Sequence, residues 1–372
     1  MTQPIYSPGL EGIIAGPTGL CLVEQTGLWY RGYGIEELAG HARFEEVVHL
    51  LYYGELPTRP QLDRLRADLD RYRELPGPIV DTLKLIPKDV PMMDVLRTAI
   101  SMAGHFSPVK GESIDDWRQE AIRLLSVAAA ILGARYRLIK GKDPVPPREG
   151  LSHAGQILWL FEGRQPDPLA EQLINLTLIL YAEHEYNAST YTARVIASTL
   201  SDMTSAVVGA IGALKGPLHG GANEQSMQLM RRFGSAEEAE QWTLRAIRNK
   251  EKVVGFGHRV YKQGDHRAWI LEEKMKQLAH QKGETRLVAV YDAIKNTMRR
   301  EKNIFCNVDF PCGLVYYLLG LPLDVYTPLF VCSRVSGWCA HIMEQHFDNR
   351  IIRPLSEYTG PPKRPWVPLE KR

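Results

Sequence analysis

Two histidines in this chain stand beside glycines that leave the backbone open, and one aspartate stands at the mouth of an apolar run. His219 lies in Gly216-Pro-Leu-His-Gly-Gly-Ala-Asn-Glu224. Gly220 and Gly221 carry no side chains, so a ligand can approach the backbone next to the imidazole. His258 lies in Val253-Val-Gly-Phe-Gly-His-Arg-Val-Tyr-Lys262, framed by Gly255 and Gly257. Lys252, Lys262 and Arg267 surround that segment with cations, which suits contact with an anionic cofactor; a turn between helices also accounts for the glycines. Asp309, in Asn307-Val-Asp-Phe-Pro-Cys-Gly313, leads into the apolar stretch Leu314 to Leu321. A carboxylate there is costly unless it is capped, paired or used, and a helix N-cap or a reacting base would each satisfy that demand. Arg334 lies in the middle of an apolar segment and calls for an anionic partner. That partner is either a carboxylate of the protein or a bound one, which a guanidinium fork grips bidentately.

These residues need helices to carry them, and helical patterning dominates the chain. Tyr326 to Phe347 reads as one long helix around Arg334, with Leu329, Val335, Trp338, Cys339 and Ile342 on its apolar side. Leu62 to Tyr72, Asp94 to Ala103, Trp117 to Ile139, Leu169 to Ala182 and Ala236 to Asn249 show the same periodicity. Breakers fall at Glu74 to Pro78, Gly141 to Pro147 and Gly163 to Pro168. Val195 to Leu214 carries one charge, Asp202, over a membrane-spanning length. It is rich in small residues, with Ser205, Gly209 and Ala213 at helical spacing, and lacks anchors at both ends. It therefore reads as a buried helix, suited to close packing and to a subunit interface. Strand signals are sparse; Gly19 to Val23 is one arm of an expected short hairpin. Prolines keep Tyr358 to Pro368 out of any helix, so the C-terminus is expected to be a tail or an extended arm.

Composition narrows the field. Lys and Arg total 45 against 43 Asp and Glu, leaving a net charge of +2 and no implied nucleic-acid partner. The 5 cysteines form no Cys-x-x-Cys pair, which fits a reducing cytoplasm better than a disulfide framework or a zinc knuckle. No signal peptide and no membrane partner are expected. There is no phosphate-binding loop, no dinucleotide fingerprint and no nucleophilic serine elbow. His184-Glu185 begins a zinc-protease pattern, but Ala188 stands where its second histidine belongs, and no metal-ligand cluster is present. The chain has 372 residues, long for one core, so two domains are expected.

Together these segments resemble the citrate synthase family, in order and spacing, from Tyr30-Arg-Gly-Tyr-Gly-Ile-Glu-Glu-Leu38 to Arg350-Ile-Ile-Arg-Pro354. The resemblance implies an all-α, citrate-synthase-like fold. Residues 1–221 and 321–372 would form a large helical domain, and 222–320 a smaller mobile one. It implies an acyltransferase that condenses acetyl-CoA with oxaloacetate and hydrolyses citryl-CoA to citrate and CoA. Asp309 would take a proton from the acetyl methyl, His219 would hydrogen-bond the thioester oxygen, and His258 would donate to the ketone oxygen of oxaloacetate. His184, Arg267, Arg334 and Arg353 match the family's oxaloacetate contacts, with Arg353 reaching the site of the other subunit in a homodimer. Coenzyme A, a co-substrate rather than a resident cofactor, would lie along Lys252, Val253, Val254, Gly255 and Phe256, with Lys262 and Lys302 near its phosphates.

The chain departs from many relatives at Pro311-Cys312-Gly313, where they carry serine before the glycine. It also lacks the N-terminal extension of the large NADH-inhibited hexamers. Two rival functions stand beside the first. A 2-methylcitrate synthase shares every motif but takes propionyl-CoA, and one methylene is worth only about 1–3 kcal/mol of discrimination. A non-catalytic, citrate-sensing or scaffold homologue would be expected to have lost His219, His258 or Asp309.

Overall fold

The structure is a computed structural model describing residues 6–372. A small antiparallel sheet comes first, β1 (Cys21–Glu24), β2 (Gly27–Tyr30) and β3 (Tyr33–Gly34), so the expected hairpin carries one more short strand. Sixteen α-helices follow among the described residues. They are α1 (Ile35–His41), α2 (Phe44–Tyr53), α3 (Arg59–Arg71), α4 (Gly77–Leu85), α5 (Met92–Gly104), α6 (Ile114–Ile139), α7 (His153–Glu162) and α8 (Pro168–Tyr181). Next come α9 (Ala188–Ala197), α10 (Met203–Leu214), α11 (Ala222–Met230), α12 (Ala236–Arg248), α13 (His266–Gln281), α14 (Thr285–Lys302), α15 (Asp309–Leu318) and α16 (Tyr326–Phe347). The fold is all-α.

Local chemistry places the ends. Ser113 and Asp116 form a capping box on α6, Asp167 caps α8 ahead of Pro168, and Asn187 caps α9. The run from Val195 to Leu214 is not one helix. Asp202 Oδ1 accepts the Ser205 N–H at 2.9 Å and starts α10, after α9 has ended at Ala197. Nor is the run wholly buried, since Ser205 is exposed and Gly209 and Ala213 are partly so. Among the described residues no helix is long and apolar enough to cross a membrane. The Glu74 to Pro78 breaker ends by opening α4, because proline fits a first turn whose N–H has no partner.

α16 is the spine of the first group of helices, packed against α6, α8 and α9. Gly337 makes that possible. A Cβ there would lie 2.2 Å from Glu183 Oε2 and 2.3 Å from the Ala182 carbonyl, so α16 rides directly on the α8–α9 connection. In a second group α12 packs on α14, and α11 and α13 pack on α15. Gly313 lets α15 approach α11, since a Cβ would meet the Asn223 carbonyl at 2.6 Å. The groups meet where α13 touches α8 and α1, and where α11 touches α16. All five cysteines are buried and unpaired. Beyond α16 the chain runs extended, with Tyr358 76% and Trp366 77% exposed.

Candidate active site

His219 is aimed by the turn that ends α10. The Gly220 N–H returns to the Leu214 carbonyl at 2.9 Å, and a Cβ on Gly220 would lie 2.4 Å from that same oxygen. Only glycine fits. The imidazole Nε2 accepts the Ser189 backbone N–H at 3.2 Å, with the Ser189 hydroxyl 2.9 Å away. A ring nitrogen that accepts an N–H carries no proton, so neutral His219 holds its proton on Nδ1. Burial, reinforced by the positive charge of Arg334, lowers its pKa to about 4. At neutral pH it is an uncharged hydrogen-bond donor.

His258 has the opposite tautomer for the same reason. Its Nδ1 accepts the N–H groups of Val260 and Tyr261 at 3.0 and 3.1 Å, which leaves the proton on Nε2. Burial, then the charge of Arg267, brings its pKa to about 4. The ring stacks on Tyr261 at 4.6 Å and meets the His184 ring edge-on at 4.9 Å. His184 is buried, with Nε2 3.3 Å from the Tyr261 hydroxyl. Burial and the charges of Arg267 and Arg334 hold it well below its usual range.

Gly255 and Gly257 have φ of +84° and +79°, values that favour glycine. A Cβ on Gly255 would also press on Ser226 Oγ at 2.6 Å. Their segment is stitched to the chain entering α15. The Gly257 N–H donates to the Phe305 carbonyl and the Asn307 N–H to the Gly255 carbonyl, both at 2.9 Å. Loop and aspartate are therefore one rigid piece. Lys252 and Lys302 are exposed at its margins, and Lys262 Nζ donates to the His258 carbonyl at 3.1 Å.

Asp309 is the first residue of α15, and its side chain caps nothing. Oδ1 accepts the Tyr181 hydroxyl at 2.6 Å. Burial raises its pKa to about 6, against the lowering effect of that hydrogen bond and of Arg267. Such a carboxylate is ionised at neutral pH yet holds a proton more strongly than an exposed one, as a base in acid–base catalysis should.

The two buried arginines differ. Arg267 commits Nε and Nη2 to Asp265 at 3.0 and 2.9 Å, and Asp265 Oδ2 also accepts the Val308 N–H at 3.0 Å. Arg334 donates Nε–H to the Tyr181 carbonyl at 2.6 Å, with its guanidinium 4.8 Å over the Phe330 ring. Among the described residues no carboxylate lies within ion-pair distance of it, so the alternative of an internal salt bridge fails. Burial lowers its pKa, opposed by the charge of Glu183. Arg353 is not brought to this site; it is exposed on the extended segment after α16.

Several supporting residues escaped the sequence reading. Ser189 is held by Trp338, whose indole N–H donates to its hydroxyl at 3.1 Å, and by Asn187 at 2.8 Å. Behind His184, the Arg194 Nη1–H donates to His341 Nδ1 at 2.9 Å, so His341 turns Nε2–H toward Glu183 Oε1 at 2.8 Å. A signal existed only for Asn187, which follows His184 within one short polar stretch.

The family model for the citrate synthase C-terminal domain matches residues 9–355. The chain is 42% identical over 366 residues to Citrate synthase 2 of Bacillus subtilis, covering 98% of each. It is 43% identical over 373 residues to the 2-methylcitrate synthase of Shewanella oneidensis, covering 100% of this chain and 99% of that one. Among solved structures, citrate synthase from Thermotoga maritima aligns with a TM-score of 0.89 at 37% identity, over 99% of both chains. The Thermoplasma acidophilum enzyme, solved as a ternary complex with carboxymethyl coenzyme A and oxaloacetate, aligns at 0.94 and 32% identity over 99% of this chain and 100% of that one. This chain belongs to the citrate synthase family of acyltransferases.

Proposed function

We propose that the protein condenses an acyl-CoA thioester with oxaloacetate and hydrolyses the product, with acetyl-CoA as the acyl donor and citrate as the product. One observation carries this reading. Two neutral histidines are locked in opposite tautomers, the charge of Arg334 acts on both His219 and Asp309 and that of Arg267 on both His258 and Asp309, and burial raises the Asp309 carboxyl to about 6.

A thioester methyl is a very weak carbon acid, so the proton can leave only if the enolate oxygen is stabilised as it forms. Asp309 takes the proton and His219 Nδ1–H donates to the thioester oxygen. The enolate carbon then attacks the ketone of oxaloacetate, while His258 Nε2–H donates to the ketone oxygen. Water cleaves the resulting thioester and releases CoA. Arg334, buried and without an anionic contact among the described residues, receives one substrate carboxylate, and Arg267 and His184 complete the pocket. Coenzyme A lies along Lys252 to Phe256, its phosphates near Lys262 and Lys302.

The same site supports a second reading, propionyl-CoA to 2-methylcitrate, because relatives of both names match this chain almost equally well. The test of the chemistry is the pH dependence of turnover. The base must be ionised, so the rate is expected to be level above pH 7 and to fall about tenfold per unit below a limb near pH 6. Loss of rate governed by one group near pH 4 would remove Asp309 from that role.

Residues 222–320 are taken as a small domain that closes on the dianion, since His258 and Arg267 lie on it while Arg334 and His184 lie opposite. Oxaloacetate alone is expected to shrink the radius of gyration in small-angle scattering, and CoA alone to leave it unchanged. Contraction with CoA alone would refute the assignment.

Arg353 is supplied by a second subunit in a homodimer. Its exposure here, with the exposed apolar side chains of the C-terminal arm, supports that arrangement. Inactive Arg353→Ala and Asp309→Asn chains, mixed and allowed to exchange, are expected to regain roughly a quarter of parental activity, because half the dimers then hold one intact site. Exchange without recovery would mean that each site is built from one chain. A cytoplasmic location fits the five unpaired cysteines.

A further inference from the structure

Tyr181 makes contacts that the reaction above does not use. It closes α8, on the helix group opposite Asp309, and is buried with its ring tilted on Phe330 at 4.0 Å. Its two polar groups face different partners. The backbone carbonyl accepts Arg334 Nε–H at 2.6 Å, and the hydroxyl donates to Asp309 Oδ1 at 2.6 Å. Among the described residues that hydroxyl is the single hydrogen-bond partner of the Asp309 carboxylate.

We propose that Tyr181 is a positioning residue for proton abstraction: its hydroxyl holds Asp309 through Oδ1 and leaves Oδ2 turned to the acyl carbon, while its carbonyl holds Arg334. The proposal rests on the reading of Asp309 as the base. A carboxylate free to rotate at the head of α15 presents either oxygen, or neither, to the substrate. A donor fixed by ring packing removes that freedom before the acyl-CoA arrives. Because one residue holds Arg334 through its backbone carbonyl and Asp309 through its hydroxyl, the distance between the bound dianion and the base is set within a single residue. The hydroxyl cannot become the base itself. Burial, followed by the negative charge of Asp309, raises its pKa well above the usual tyrosine range, so it remains a donor.

The test uses the full chain carrying Tyr181→Phe, which keeps the ring on Phe330. A hydrogen bond to the charged carboxylate lowers its pKa, so removing it is expected to move the acid limb of turnover up by about one pH unit. Turnover at pH 8 is expected to fall roughly 10–100-fold, in the range of a general-base contribution. The Michaelis constant for oxaloacetate is expected to change less than about threefold, because the carbonyl contact to Arg334 does not depend on the hydroxyl. 3-Fluorotyrosine at position 181, similar in size and a stronger donor, is expected to move the limb the other way. An acid limb unmoved in both proteins would leave the hydroxyl a packing group and overturn the proposal. Turnover retained in Asp309→Asn would instead sink the underlying reading of the base, so the two failures are separable.

Discussion

Asp309→Asn is expected to lower turnover at least 1,000-fold, on the order of what a positioned general base and its electrostatics contribute together. Asparagine matches the shape of the side chain, and Tyr181 can still donate to its amide oxygen. The fold and the neighbouring side chains should therefore survive, and oxaloacetate should bind with affinity within a few-fold of the parent. What is lost is the one group whose burial raises its proton affinity into the range useful near neutrality. His219 and His258 cannot replace it. Both rings spend their unprotonated nitrogen on backbone N–H groups, so neither has a lone pair facing the substrate. Stopped-flow turnover and an oxaloacetate titration by calorimetry check the two halves of this expectation. Turnover within tenfold of the parent would remove Asp309 from proton abstraction.

Arg334→Gln is expected to cut turnover per Michaelis constant for oxaloacetate by about 100- to 10,000-fold, with the Michaelis constant for the acyl-CoA little changed. A bidentate carboxylate contact consists of two charge-assisted hydrogen bonds of about 1.5–3 kcal/mol each. Glutamine can keep the hydrogen bond to the Tyr181 carbonyl but not the charge. The magnitude follows from the setting of Arg334. It is buried, and Glu183 is a counter-charge at a distance rather than a contact. Arg267, already paired with Asp265, should prove less sensitive to loss of the substrate charge. Steady-state kinetics with each substrate varied in turn tests this, and an equal loss against both substrates would contradict it.

The three residues proposed for catalysis stand out in the sequence because each violates what its surroundings want. Glycines flank the histidines at turns where a Cβ or a negative φ is excluded, and Asp309 interrupts an apolar segment. The long helix around Arg334 was legible too, since its periodicity runs unbroken for the whole of α16. Its missing partner was not, because only the crossing of α16 over the α8–α9 connection shows that, among the described residues, no carboxylate reaches the guanidinium. Tyr181 and Ser189 are ordinary residues at ordinary helical positions. Their roles arise from contacts with residues 128 and 149 positions away, Asp309 and Trp338, and periodicity carries no such information. The Val195 to Leu214 run was misread as continuous because apolar patterning outweighed a local competitor, the Asp202 side chain, which stabilises a helix start by taking the Ser205 N–H.

The most direct test of the central claim is a product assay on the purified chain. Oxaloacetate and acetyl-CoA are supplied together, free thiol is followed continuously, and the acid formed is identified by NMR. Propionyl-CoA is run in parallel. The expected result is one citrate per thiol released, no thiol above the uncatalysed rate without oxaloacetate, and a higher turnover per Michaelis constant with acetyl-CoA. A preference for propionyl-CoA with 2-methylcitrate as product would move the assignment to the second acyl donor. No oxaloacetate-dependent thiol release from either thioester would contradict the account.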